Sequence, residues 1–379
     1  MNFTLTEEQQ MIQQMVREFA EQEVRPIAAE VDKTHTFPMN TVKRMAALDI
    51  FALSIPEAYG GSGSDYLSYA IAVEELAKVC ATHAVILSAH TSLCTHPILN
   101  FGTEEQKKKY VPDLAAGKKL GAFCLTEAGA GTDAAGQQTE AVLDGDHYVL
   151  NGAKVFITNG AVADVFIVMA MTDKSLGLKG ISAFIVEKSF PGFVVGQAEE
   201  KMGICGSSTT EIILKNCIVP KENMLGGEGK GFKVAMQTLD GGRIGIASQA
   251  LGISEGALSA AITYSKERKQ FGKPISANQG IQWMIADMAT QVEAARLLVY
   301  RAAVLKEAGE RISKEAAMAK LFAATTAMDV TTKAVQIHGG IGYTRSYPVE
   351  RYMRDAKITE IYEGTSEVMR MVIAGNTLG

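Results

Sequence analysis

The stretch AVLDGDHYVLNG, Ala141 to Gly152, fixes the middle of the chain as β structure. Apolar residues lie on both sides of Asp144-Gly145-Asp146, and that tripeptide has the composition of a hairpin turn. GAFCLTE before it continues the strand pattern, and so do KVFITN, DVFIVMAMT, ISAFIVEK, GFVVGQ and TEIILKNCIV after it, to about Val219. The unit spans roughly 100–120 residues, an ordinary size for one domain.

Both flanks carry helical periodicity instead. Thr6 opens a capping box with Gln9, and Met11, Ile12, Met15, Val16, Phe19 and Ala20 follow at helical spacing. The break IPEAYGGSGSDY (Ile55 to Tyr66) precedes apolar helices through Ala70–Val79 and Ala84–Leu93. An amphipathic helix then runs from Thr103 to Gly117. Beyond Gly231, Ile281, Met284, Ile285, Met288, Val292 and Ala295 form the buried stripe of a long helix that stops near Gly309. A second long helix runs from Ser313 to Ile337 and meets Gly339-Gly340, an expected stop. The class expected is α+β, with a helical domain over 1–120, a β domain over 121–231 and a helical domain over 232–379. Such an order is not the βαβ alternation of a Rossmann unit.

Composition narrows the function. A length of 379 residues exceeds one ordinary core, so several units share interfaces. Net charge is −5 with no sustained basic run, which argues against a nucleic-acid partner. No apolar run approaches the length of a membrane span, and the polar, acidic start MNFTLTEEQQ is unlike a secretory signal. The five cysteines lack CxxC spacing and suit reduced thiols in a cytoplasmic compartment. The six histidines form no HxxxH or HExxH pattern, so no metal site is expected.

Six polar segments remain. FCLTEAGAGTDAAG (Phe123 to Gly136) is a strand leading into a glycine-rich turn whose N–H groups can approach a planar or anionic ligand. NGAKVFITNG offers Phe156, Ile157 and Thr158 as an aromatic face with a hydroxyl. DGGRIGIASQALG sets Asp240 and Arg243 at what looks like a helix start. SKERKQFGKPISANQGIQ and QIHGGIGYTRSYPVERYMRDAK are turns between long helices. ITEIYEGTSEVMR places Glu363 in a break flanked by Tyr362 and Gly364. Taken singly, each also suits a strand exit, β core, a helix cap or a solvated loop.

Together, LTEAGAGTD, the FIT triplet, RKQFGKP, QIHGG and IYEGTSE resemble the acyl-CoA dehydrogenase family, in its order and at its spacings, over essentially the whole chain. The likeness is greatest to bacterial butyryl-CoA (short-chain) members. It implies an N-terminal all-α domain, a central β-barrel or sandwich, and a C-terminal four-helix bundle. It also implies FAD, an acyl-CoA substrate, electron exchange with electron-transferring flavoprotein, and a homotetramer built as a dimer of dimers.

The family reaction removes an α-proton from the thioester while the β-hydrogen leaves as hydride to flavin N5. By resemblance Glu363 is the base, its own N–H meets the thioester oxygen, and Gly364 and Tyr362 lie against the substrate. Phe123, Leu125, Thr126, Gly131 and Thr132, with Phe156, Ile157 and Thr158, would line the flavin; Thr132 would also touch the acyl-CoA. Phe156 stands where members carry tryptophan. Arg268, Gln270, Phe271 and Gln279 would meet the adenosine-diphosphate part, joined by Gln336, Gly339 and Gly340 of a neighbouring subunit. Thr365 and Glu367 would reach FAD, and Asp240 and Arg243 the CoA, with Arg243 near its adenine or 3′-phosphate end.

Some members place the base just before the arginine of the DGGR-like segment. Here that residue is Gly242, which leaves Glu363 for the role. Cys80 to Phe101, expected to wall the acyl pocket, contains no Arg or Lys to receive a second carboxylate. Acyl-CoA dehydrogenases of other chain length or branched substrate, and oxygen-using flavin oxidases and monooxygenases on the same fold, are the alternatives. The last often lack the carboxylate in the Glu363 position.

Overall fold

The computed structural model describes residues 4–379; Met1 to Phe3, the start of the polar N-terminal stretch, lie outside the described residues. Seven α-helices come first: α1 (Glu7–Phe19), α2 (Ala28–Thr34), α3 (Met39–Ala47), α4 (Tyr66–Ala77), α5 (Ala81–His90), α6 (His96–Phe101) and α7 (Glu104–Ala115). The capping box at α1 forms as expected: Thr6 Oγ1 accepts the Gln9 N–H and Gln9 Oε1 accepts the Thr6 N–H. α4 and α5 are buried on every residue, so they read as apolar runs rather than stripes.

The strands are β1 (Gly121–Cys124), β2 (Glu140–Asp144), β3 (His147–Thr158), β4 (Val165–Met171), β5 (Ile181–Glu187), β6 (Phe193–Ala198), β7 (Thr209–Pro220) and β8 (Met224–Leu225). The β2–β3 turn is the one expected, with Asp144 opposite His147 and Gly145 at φ 62°. The sheet order is β6-β7-β3-β2-β4-β5-β8, with β1 pairing alongside β4. The expected barrel is corrected here. β6 and the two-residue β8 end the path without pairing to each other, so the ladder stays open.

Two cores meet at β4. Phe166, Val168 and Ala170 belong to the larger core, where Phe166 packs on Phe193 of β6, while Val165, Ile167, Met169 and Met171 pack with α7 and the start of the C-terminal helices. A strand buried on both faces has no polar alternation, which explains the unbroken run VFIVMAM.

The C-terminal part holds α8 (Gly231–Glu267), a small hairpin of β9 (Lys269–Gln270) and β10 (Lys273–Pro274), α9 (Gln279–Glu307), α10 (Ser313–His338), α11 (Val349–Lys357) and α12 (Ser366–Leu378). Three long helices are closed by two short ones, rather than four alike. The DGGR segment does not start a helix: α8 begins at Gly231, and Asp240 to Arg243 lie within it. Glycine in a helix interior reads as a break, but here close neighbours hold the helix through it. A buried network joins the layers, with Glu74 of α4 paired to Arg296 of α9, and Arg296 also 3.1 Å from Glu255 of α8. All five cysteines are buried and free, as their spacing suggested. Among the described residues no helix is long and apolar enough to cross a membrane, and no cluster of His, Cys, Asp or Glu is arranged for a metal ion.

Candidate active site

α8 presents Gly241, Gly242 and Gly245 toward α4, the segment after α5, and the bend between α11 and α12. A Cβ on Gly242 would overlap Glu363 Oε2, and would lie 2.7 Å from Leu93 Cδ2. One turn on, a Cβ on Gly245 would collide with Ser88 Oγ and stand 2.7 Å from the Tyr69 hydroxyl. Beside Gly241 stand Lys306 of α9 and Tyr66, whose hydroxyl donates to the Gly241 carbonyl at 3.1 Å. The Lys306 Nζ lies 4.7 Å over the Tyr66 ring.

The bend itself has left-handed backbone at two successive residues, Glu363 at φ 53° and Gly364 at φ 102°. A glutamate there carries a steric cost that tertiary contacts must offset. Three side chains supply them. The Arg243 Nε donates to the Glu363 carbonyl at 3.4 Å, Lys320 Nζ of α10 donates to the Gly364 carbonyl at 2.6 Å, and the Tyr362 hydroxyl donates to Gln249 Oε1. Thr365 caps α12 by accepting the Val368 N–H, which stops the bend from continuing backwards as helix.

Glu363 is half-buried, and its Oε2 is out of water with no hydrogen-bond partner. Burial pushes its pKa up to about 8, against the opposing pull of Lys320 and Arg243. A carboxyl so placed holds and releases a proton near neutral pH, and its unpaired oxygen has no hydrogen bond to give up before it takes one. The Lys320 ammonium is pushed down to about 8 by burial, with Glu363 opposing. Arg243 is 5% exposed, and burial lowers its pKa against the pull of Asp240 and Glu363. Its Nη1 pairs with Asp240 Oδ1 at 2.7 Å, and Asp240 Oδ2 accepts from the Ser313 hydroxyl at 2.5 Å. Arg243, expected at the adenine or 3′-phosphate end of CoA, is held in the interior by Asp240 and by its bond to the Glu363 carbonyl.

A second group of expected residues converges at the edge of the sheet. The Val155 N–H donates to the Thr126 carbonyl at 2.9 Å, tying β3 to the glycine-rich segment after β1. The buried Lys154 Nζ reinforces this by donating to the Leu125 carbonyl (3.1 Å), Glu127 Oε1 (2.8 Å) and Gln137 Oε1 (3.1 Å). Glu127 in turn accepts the N–H groups of Gln138 and Thr139. Between Lys154 and Ile157 the β3–β7 register slips, and Phe156 there has φ 59°. The bulge turns the Phe156 ring outward, 63% exposed, while Ile157 stays buried. Phe123 and Thr158 are half-buried, and Gly131 and Thr132 are exposed with open space around Gly131. An aromatic ring displayed beside an open glycine turn fits the planar face of a flavin.

The remaining expected residues lie on the outer surface. Arg268, Gln270, Phe271, Gln279, Gln336, Gly339, Gly340 and Glu367 are all exposed, Phe271 at 99%. Sequence reasoning missed Lys320, Lys154 and Gln249. Lys320 had a signal: it falls on the buried alanine stripe of α10 with Ala316, Ala323 and Ala327, where a lysine is out of place.

The models of the acyl-CoA dehydrogenase N-terminal, middle and C-terminal domains match residues 6–118, 122–217 and 229–378. The chain is 63% identical over 375 residues to the short-chain specific acyl-CoA dehydrogenase of Clostridium acetobutylicum, covering 99% of each. It superposes on butyryl-CoA dehydrogenase from Megasphaera elsdenii with a TM-score of 0.99 at 54% identity, each chain covered in full. A chain solved in work on the electron transferring flavoprotein of Acidaminococcus fermentans, and on flavin-based electron bifurcation, is 59% identical with a TM-score of 0.99 over the full length of both. The chain belongs to the acyl-CoA dehydrogenase family, whose members are FAD-dependent enzymes.

Proposed function

We propose that the protein interconverts butyryl-CoA and crotonyl-CoA, with Glu363 moving the α-proton. The observation that carries this reading is the buried Glu363 carboxyl, with a free Oε2 and a proton affinity near neutrality. A base that must take a carbon-bound proton needs that affinity and a site without water. FAD supplies the acceptor and donor for the β-hydride. Phe156 and the turn from Leu125 to Thr132 would hold the flavin, and the Glu363 N–H, left free of any helix ladder, would meet the thioester oxygen. Arg243 and Asp240 act at the acyl end, by keeping the bend in place.

The short-chain preference rests on similarity: relatives named for short-chain and butyryl substrates share more than half of the sequence. Electron exchange with an electron-transferring flavoprotein follows the company kept by the Acidaminococcus relative, and the reductive direction follows a 53% identical relative named acryloyl-CoA reductase (NADH). A homotetramer suits the exposed Phe271, Trp283 and Tyr343, which lie on or next to the segments expected at subunit contacts.

The deciding experiment is an acyl-CoA series from four to sixteen carbons with an artificial electron acceptor. Optimal turnover at four carbons is expected; an optimum at about eight or more would overturn the short-chain reading. Adding crotonyl-CoA, NADH and the cognate flavoprotein should yield butyryl-CoA, and no product would remove the reductive direction. Steady oxygen consumption with butyryl-CoA would favour an oxidase instead.

A further inference from the structure

The left-handed bend leaves two carbonyls, of Glu363 and Gly364, that accept no backbone N–H among the described residues. Each is met by a buried cation from a different helix, Arg243 of α8 and Lys320 of α10. Lys320 has no exposed surface, and its helix neighbours on that face are alanines. Its ammonium has three donors, and the Gly364 carbonyl occupies one of them. A hydrogen bond to one carbonyl needs no charge, and a buried ammonium is costly unless a charge compensates it. The carboxyl one residue before Gly364 is that charge.

We propose that Lys320 is a positioning residue for Glu363: it holds the bend through the Gly364 carbonyl, and its charge balances the carboxylate form of Glu363. The inference rests on reading Glu363 as the base. With Arg243 on the preceding carbonyl, it makes the bend a clamp with one cation on each side of the Glu363–Gly364 peptide. The groups that face Glu363 are Lys320 from α10, Arg243 with its partner Asp240 from α8, and Tyr66 and Tyr69 from α4, with Tyr362 on its own segment. Lys320 also faces Glu360 and Glu367. Among these Lys320 and Arg243 are the cations, and Asp240 already engages Arg243.

The test uses the flavin-loaded enzyme and the variants Lys320→Met, Lys320→Arg and Glu363→Gln. The infrared carboxyl band of Glu363, assigned by its loss in Glu363→Gln, is titrated in the two lysine variants. Lys320→Met should move that titration up by about one pH unit, because an opposing charge is gone. It should also lower kcat about 10²-fold at neutral pH with KM changed less than about 3-fold, the pattern of a misplaced catalytic group. Lys320→Arg should keep the titration near its original position. An unmoved titration in Lys320→Met overturns the proposal. If that variant does not load flavin, an equally large shift in Lys320→Arg overturns it, since charge is retained there. Undiminished turnover in Glu363→Gln would remove the base reading instead, while the Lys320 effect on the carboxyl band stays readable.

Discussion

Gly242 and Glu363 share one volume: the space a Cβ on Gly242 would fill is held by Glu363 Oε2, with Cδ 2.9 Å away. The missing side chain at 242 is therefore a requirement of the carboxyl at 363. Gly242→Ala should drive the carboxyl off its position and lower kcat about 10²-fold. Flavin content should be unchanged, because Phe156 and the Thr126 turn are elsewhere. Steady-state kinetics beside the flavin absorbance ratio checks both halves.

Glu363→Gln keeps size and removes the base. Turnover should fall by at least about 10²-fold while the protein remains yellow. A stability effect accompanies it. The folded-state pKa is raised above the unfolded one, so the unfolded chain loses its proton first, and native stability falls as pH rises from the ordinary carboxyl range to about 8. Above pH 8 the Gln variant should be more stable than the parent by on the order of 1 kcal/mol or more, read from denaturant midpoints across pH.

The direction of reaction sets opposite pH limbs. Oxidation needs the Glu363 carboxylate, so kcat/KM for butyryl-CoA should rise with pH and level off above about 8. Reduction of crotonyl-CoA needs the carboxylic acid to return the α-proton, so its kcat/KM should level off below about 8 and fall above it. Parallel profiles in the two directions would assign the titration to another group.

Lys154 and Glu127 hold both expected flavin-lining segments together from inside the sheet. Lys154→Met leaves Glu127 buried without its cation, at a cost of about 3–5 kcal/mol. Thermal unfolding should shift down, and FAD should dissociate faster than from the parent. Pairing the change with Glu127→Gln should restore part of the stability, which a double-mutant cycle would measure.

The layers and the site were legible to different degrees. The hairpin at Gly145, the Thr6 cap and the stop at Gly339 were readable because each rests on local chemistry: a turn, a cap, a left-handed glycine. Sheet closure was not, since it depends on whether strands far apart in sequence pair. The return of helical periodicity at Gly231 was legible, but Asp240 to Arg243 looked like a helix start and lie inside α8, where Glu363, Tyr66 and Lys306 approach its glycines closely. Glu363 was singled out by its motif, but the motif gave no sign that Arg243 meets the bend that carries it. Burial and the 3.4 Å bond to the Glu363 carbonyl put it at the bend.

α8 carries a limit for protein engineering. Replacing helical glycines by alanine is a common way to gain about 1 kcal/mol each. Along this helix the same exchange would strike Glu363 at Gly242, Ser88 at Gly245, the Glu74 carbonyl at Gly252 and the Lys78 carbonyl at Gly256. Its weak intrinsic propensity is thus the condition for its neighbours to come near. Thermostable variants will have to be sought in the loops and on the outer faces, because this helix has no slack to give.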